Sequence, residues 1–292
     1  MAAFLVSALL VAATAAFHLL KGRRDALVKK SFSMAMWMIL ALAPLQMFVG
    51  DMHGLNTLEH QPAKLAAIEG HWATNKDSGM PLYLFGIPDM EAEETKYAIG
   101  IPNLGSLIMT HTLDGEVKGL KEFAPEDRPN SLVVFWSFRI MVGLGVLMIL
   151  MAILGVWLRK TGKFYDSLWL HKFALYMGPS GFIALLAGWF TTEVGRQPWV
   201  VYGVLRTKDT LSPVSAEQVG LTLIIFVVVY FIVFGVGIFY MLKLMRKGPD
   251  FIHSAPHSEQ AIIQASKRPL STIDEENDLD QVSSKHSQEN QK

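Results

Sequence analysis

The 292-residue chain is 51% hydrophobic and only 18% charged, with a mean hydropathy of +0.30, too apolar for an ordinary soluble domain and suited to several membrane spans. Lys+Arg and Asp+Glu are matched at 26 each, which leaves no electrostatic footprint for a nucleic-acid partner. The absence of cysteine excludes disulfides, thiolate zinc sites, iron–sulfur clusters and cysteine nucleophiles, so any metal chemistry must use His, Met or carboxylates.

Apolar runs lie near 2–20, 33–50, 132–158, 168–192 and 219–243. Each meets the roughly 20 residues that a spanning helix needs. The first run carries no positive charge before its apolar stretch and several after it, the reverse of a signal peptide. Pro44 is expected to break the second run and Gly178-Pro179 the fourth. Basic clusters follow spans one, three and five: KGRRDALVKK at 21–30, RKTGK at 159–163 and KLMRKG at 243–248. All three fall on one side if the amino terminus is outside, so that side is assigned to the cytoplasm. The loops 51–131 and 194–218 then face outward.

The first of these loops has about 80 residues, long enough to expect function in it. PAKLAAIEGHW, at 62–72, reads as an amphipathic helix with a solvated face, and LFGIPDMEAEE, at 84–94, as turn-rich. The tail from 249 is polar and is expected to be disordered. No internal repeat and no phosphate-binding glycine loop is present.

Charged residues inside the spans need partners. Arg139, in FWSFRIMVGLG, falls in the outer half of span three. It calls for an acidic side chain, a lipid headgroup or a cofactor carboxylate. Met141 follows two residues on; span methionines are mostly filler. In GWFTTEVGRQPW, Glu193 and Arg196 are spaced i, i+3 and Trp189 lies one turn before Glu193. Mutual neutralisation with an interfacial tryptophan is one reading; a buried ligand served by Glu193, with Arg196 beside a negative group, is the other. Pro198 should end that helix. His18 and His171 fall at the cytoplasmic ends of spans one and four, as interfacial residues. A separation of roughly 25–30 Å keeps them out of any site shared by Met141 and Glu193.

Taken together, GRQPW after a span bearing Trp and Glu, FRIM in the preceding span, and KLAAIEGHW followed by LFGIPDMEAEE resemble subunit I of the cytochrome bd quinol oxidases. The resemblance covers the chain to about residue 248 and implies an all-α integral membrane protein. Its organisation would be two transmembrane helices in 1–50, a periplasmic quinol-binding loop in 51–131, three further spans in 132–248 and a disordered cytoplasmic tail in 249–292. It implies Met141 as a ligand of low-spin haem b iron, Glu193 as the ligand of high-spin haem b iron, and Arg139 and Arg196 as partners of haem carboxylates. Trp189 would pack between haems, and Lys64 and Glu69 would form the quinol site. The activity implied is quinol:oxygen oxidoreduction building a proton gradient in the bacterial inner membrane, with subunit II as partner. Family members have about four more spans before this Met1, carrying the histidine ligand of haem d and the acidic residues of the proton path. The resemblance implies the histidine opposite Met141 just before Met1 in the same helix. The chain would then be a truncated product, the product of a misassigned start or half of a split subunit, with the missing amino-terminal half expected elsewhere. The competing reading is a non-catalytic fragment or scaffold needing a partner chain, or a small transporter.

Overall fold

The computed structural model describes residues 1–75, 79–210 and 214–247. Residues 1–232 form one compact unit, and the residues from 233 onward belong to a second. Five helical segments are long and apolar enough to cross a membrane. They comprise α1 (Ala2–Leu20), α2 (Ala26–His60), α5 (Ser131–Lys160), the pair α6 (Leu168–Tyr176) and α7 (Ser180–Arg196), and α8 (Ala216–Lys247). Between α2 and α5 lie α3 (Pro62–Glu69), the strands β1 (Leu82–Asp89) and β2 (Glu94–Ile101), and α4 (Leu104–Thr110). A second antiparallel pair, β3 (Trp199–Val201) and β4 (Leu205–Arg206), follows α7. The expected tail from 249 lies outside the described residues.

The bundle core is built where α1, α2, α5 and α6 meet. α1 buries Leu5, Ala8, Leu9, Ala12, Ala16 and Leu19, an i, i+3/i+4 stripe rich in alanine. Small residues let helices approach closely, the main source of helix affinity where lipid tails are as apolar as leucine. Phe32, Ile39, Met151 and Leu170 fill the remaining space and are essentially solvent-free. Asn130 caps α5 by accepting from the Val133 N–H at 3.3 Å, and Ser167 caps α6 by accepting from Leu170 at 3.4 Å.

The helix break at Gly178-Pro179 forms as expected. A Cβ on Gly178 would stand 2.9 Å from the Cβ of Ala13, so the glycine also admits α1. Pro44 does not break its helix: α2 runs unbroken for 35 residues and continues well past the expected limit at residue 50. Spanning helices tolerate proline when the freed carbonyl is satisfied by other means. At 1.5 Å per residue α2 is about 52 Å long, far more than a hydrocarbon core of about 30 Å. Its last turns therefore project beyond the bilayer and deliver the chain to α3 through Gln61 alone.

The segment expected to be turn-rich is a hairpin. Leu82 pairs with Ile101 and Asp89 with Glu94, with register irregularities near Phe85. Its turn is where the sequence places it. Asp89 Oδ1 accepts from the Glu91 and Ala92 N–H groups at 2.9 and 3.1 Å, while Lys96 donates to Oδ2 at 2.7 Å. These three donors hold the Asp89 carboxyl down to about 2. Arg128 clamps Glu93 at the hairpin tip, and Arg206 pairs with Asp127 at 2.7 Å, tying the second loop to the first.

Candidate functional site

α3 is the element on which the site is built. It ends at Gly70, whose φ of +66 places it in the left-handed region, and the His71 N–H returns to the Ala66 carbonyl at 2.9 Å. A side chain at Gly70 would also strike the Phe135 ring at 2.8 Å. The expected solvated face of this helix does not exist: every residue from Ala63 to Glu69 is buried. Lys64 is 8% exposed and Glu69 is 1% exposed. α5 and α7 pack against it, and Tyr202 of the second loop lies beside the Ala63 backbone.

Arg139 joins α3 to the hairpin. It lies about 12 Å along α5 from Ser131. Its Nη1 donates to the Ile68 carbonyl at 2.7 Å and to the Phe135 carbonyl at 3.2 Å, and its Nε to the Tyr83 carbonyl at 2.8 Å. Nη2 also donates to Tyr83. The Ile68 carbonyl belongs to the last turn of α3, where helical acceptors lack partners and the dipole is negative. The guanidinium stacks 3.3 Å from the Phe135 ring centroid. Its anion is the Glu69 carboxylate, with Nη2 at 3.7 Å from Oε2, too long for a hydrogen bond but close enough for an ion pair. The acidic-side-chain option among the three anions considered for Arg139 is thus present within the chain itself.

Glu69 is left with both oxygens buried and without a hydrogen-bond partner. Burial pushes its carboxyl above the ordinary carboxylate range; the Arg139 charge opposes this and does not cancel it. Native proteins rarely leave such atoms unpaired. A carboxyl with raised proton affinity, orphaned lone pairs and a fixed cation beside it can accept a proton or a hydrogen bond from a small molecule. His71, two residues on, is likewise buried with an unpartnered Nε2, and burial lowers its basicity. The sequence reading did not single it out; its place in the same buried helix cap would have been the signal.

Lys64 does not face Glu69. Five positions apart on an α-helix, the two side chains point about 140° away from each other. Lys64 instead lies on Gly195 of α7, close to Glu193 and Arg196. Burial pulls its ammonium below the usual lysine range, with Glu193 opposing and Arg196 adding to the shift. Glu193 and Arg196 pair with each other at 2.7 Å on the last turn of α7, so the neutralisation reading holds for this pair. Both remain nearly half exposed, however, and Trp189, one turn earlier, is 57% exposed. Phe182, Ile183, Leu185, Leu186 and Phe190 share that uncovered surface of α7.

Met141 is half-buried, and its sulfur is seated on Gly188 of α7, where a Cβ would come within 2.8 Å of Sδ. Nearby, Ser137 and Thr191 share a hydrogen bond of 2.9 Å across the same seam. Gly70, Gly188 and Gly195 are positional residues that sequence reasoning missed. For Gly188 and Gly195 the available signal was glycine within a helix, where alanine is about 1 kcal/mol more favourable; for Gly70 it was glycine just past a helix end. Among the described residues no group of three or more His, Asp or Glu side chains converges on a metal position.

His18 and His171 are buried at 3% and 2% exposure, not interfacial as expected. His171 Nε2 approaches the Phe164 carbonyl at 3.3 Å and its ring meets Phe32 edge-on. Both His18 ring nitrogens lack a partner. Each belongs to the end of the bundle opposite α3, away from Met141 and Glu193.

The geometry defines a multi-span membrane protein with a buried charged seam between its helices and a folded extramembrane loop. The cytochrome bd terminal oxidase subunit I family model matches residues 1–249, and the chain belongs to that family. It is 34% identical to cytochrome bd ubiquinol oxidase subunit 1 of Bacillus subtilis, covering 90% of this chain and 58% of that protein. Against cytochrome bd-II ubiquinol oxidase subunit 1 of Escherichia coli the identity is 28%, over 89% and 63% of the two chains. The solved bd oxidase of Geobacillus thermodenitrificans superposes with a TM-score of 0.74 at 32% identity, over 84% of this chain and 56% of that one. The chain therefore spans a little over half the length of these relatives.

Proposed function

We propose that this chain forms the quinol-oxidising and haem-holding portion of a bd-type oxidase in a bacterial inner membrane. It would work with subunit II and with the amino-terminal part that its longer relatives contain. The observation that supports this best is Glu69: a buried carboxyl with two unpaired oxygens, poised 3.7 Å from Arg139 between α3 and α5. A quinol hydroxyl entering that seam meets an acceptor of raised proton affinity beside a fixed positive charge. Arg139, anchored by backbone carbonyls, does not move as the proton arrives, so the pocket is preorganised. The loop end of the bundle faces outside in this reading, and the proton leaves there.

The residues fit haem. Met141 offers a soft thioether on α5, and Glu193 offers an exposed carboxylate over the apolar wall of α7. Arg196 stands beside Glu193, suited to a propionate, whereas Arg139 is already engaged by Glu69 and by the Ile68 and Tyr83 carbonyls. When bound, low-spin haem b at Met141 and high-spin haem b at Glu193 would carry electrons singly toward haem d and oxygen. Trp189 adds an aromatic surface one turn from Glu193.

The test is quinol turnover by the assembled complex carrying Glu69→Gln. The amide keeps the shape and cannot take the proton. Turnover falls by about 10²-fold or more with haem content unchanged. Undiminished turnover would remove Glu69 from the reaction.

A further inference from the structure

We propose that Gly195 is an opening in the surface of α7 that admits the Lys64 side chain, making Lys64 a positioning residue of the Glu193–Arg196 pair. A Cβ built on Gly195 would lie 3.1 Å from Lys64 Cγ, 3.5 Å from Cδ and 3.2 Å from Cε. Three consecutive methylenes thus run along one glycine, and the chain crosses α7 where a side chain would otherwise stand. Backbone freedom is not the reason for this glycine, since it is absent from the glycines of positive φ. It sits in the last turn of a helix, where alanine would be favoured by about 1 kcal/mol. Space for Lys64 is what the position provides.

The charges agree with the path. Lys64 is attracted by Glu193 and repelled by Arg196. The ammonium also approaches the carbonyl end of α7, the negative pole of the helix. Glu193 therefore has two cations beside it: Arg196 on its own helix at 2.7 Å and Lys64 from α3. Glu69 has its own cation in Arg139. α3 consequently splits its two charged side chains between two helices, Glu69 to α5 and Lys64 to α7. Lys64 places a second positive charge near Glu193, and any group bound by Glu193 experiences it. That functional consequence rests on the proposed role of Glu193; the placement of Lys64 does not.

The placement is tested by amine acetylation of the full chain in membranes, read residue by residue by mass spectrometry. Lys64 is expected to react far more slowly than the exposed Lys118. Gly195→Ala closes the opening and releases Lys64 to acetylation. Glu193→Gln, which introduces no new atoms in the opening, raises Lys64 reactivity by about threefold or more by removing its counter-charge. Glu69→Gln leaves Lys64 unchanged. A Lys64 that stays protected in Gly195→Ala, or that responds to Glu69→Gln and not to Glu193→Gln, overturns the proposal.

The functional arm uses the assembled complex. Lys64→Met lowers the midpoint potential of the haem held at Glu193, because a nearby cation favours the reduced form, and Lys64→Arg restores it. No Glu193-dependent haem signal would refute the haem reading alone. An unmoved potential with normal haem would refute the influence of Lys64.

Discussion

Removing the Arg139 guanidinium should unfasten α3 and the hairpin from α5 without disturbing the spans. In Arg139→Leu the α3 carbonyl of Ile68 and the β1 carbonyl of Tyr83 lose their donor. Each buried carbonyl left unpaired costs about 1–3 kcal/mol, so two cost about 2–6 kcal/mol. Glu69 loses its cation as well. A trapped anion would ordinarily add about 3–5 kcal/mol. Here the carboxyl already binds protons more readily than usual, and protonation caps that addition. The remaining 2–6 kcal/mol corresponds to about 30-fold to 10⁴-fold more frequent opening of the loop. Hydrogen exchange of the 62–101 amides in detergent or nanodiscs measures this directly, with α1 and α6 amides as internal controls. Arg139→Lys should fall between, since an ammonium cannot reproduce the fork. Exchange in 62–101 that changes by less than about threefold in Arg139→Leu would refute the claim that this side chain fastens the loop.

The raised proton affinity of Glu69 gives a pH dependence of defined sign. Its contribution to loop stability is complete below the unfolded carboxyl value near 4.5 and is lost as pH rises through the folded one. Exchange protection of α3 should therefore decline with pH in the wild type and stay flatter in Glu69→Gln; parallel profiles would contradict this. Met141→Leu should abolish the low-spin haem band of the assembled complex, while a native band would exclude Met141 as a ligand. Gly188→Ala would set a Cβ 2.8 Å from the Met141 sulfur and push that flexible side chain aside, and should shift that band. Glu193→Ala should remove the high-spin signal and leave the low-spin one, and an unchanged spectrum would deny it iron.

The spans were legible because hydropathy over about 20 residues reflects a constraint that no tertiary contact overrides. The break at Gly178-Pro179 was legible for the same local reason. Pro44 was misread because a proline alone does not reveal whether the surroundings satisfy its freed carbonyl. LFGIPDMEAEE was read as turn-rich, yet its turn occupies only residues 90–93, and its first part is a strand held by pairing with a segment after the turn. Polar residues on α3 suggested a solvated face. Their burial depends on α5, α7 and Tyr202, all distant in sequence. Arg139 announced its need for an anion, but nothing local could designate Glu69. The residues assigned to haem and quinol came from family resemblance, and the chain's own geometry then divided Lys64 from Glu69.

Because a single residue, Gln61, joins α2 to α3, the long second helix is a lever arm whose far end is the quinol pocket of the proposed function. A change of about 5° in the inclination of a rod about 52 Å long carries its tip about 4–5 Å sideways. Mismatch with bilayer thickness biases such inclinations, within what the packing of α2 against α1 and α5 allows. Lipid composition thus has a mechanical route to α3, and chain length in the surrounding phospholipids should tune how tightly the carboxyl at position 69 is sealed.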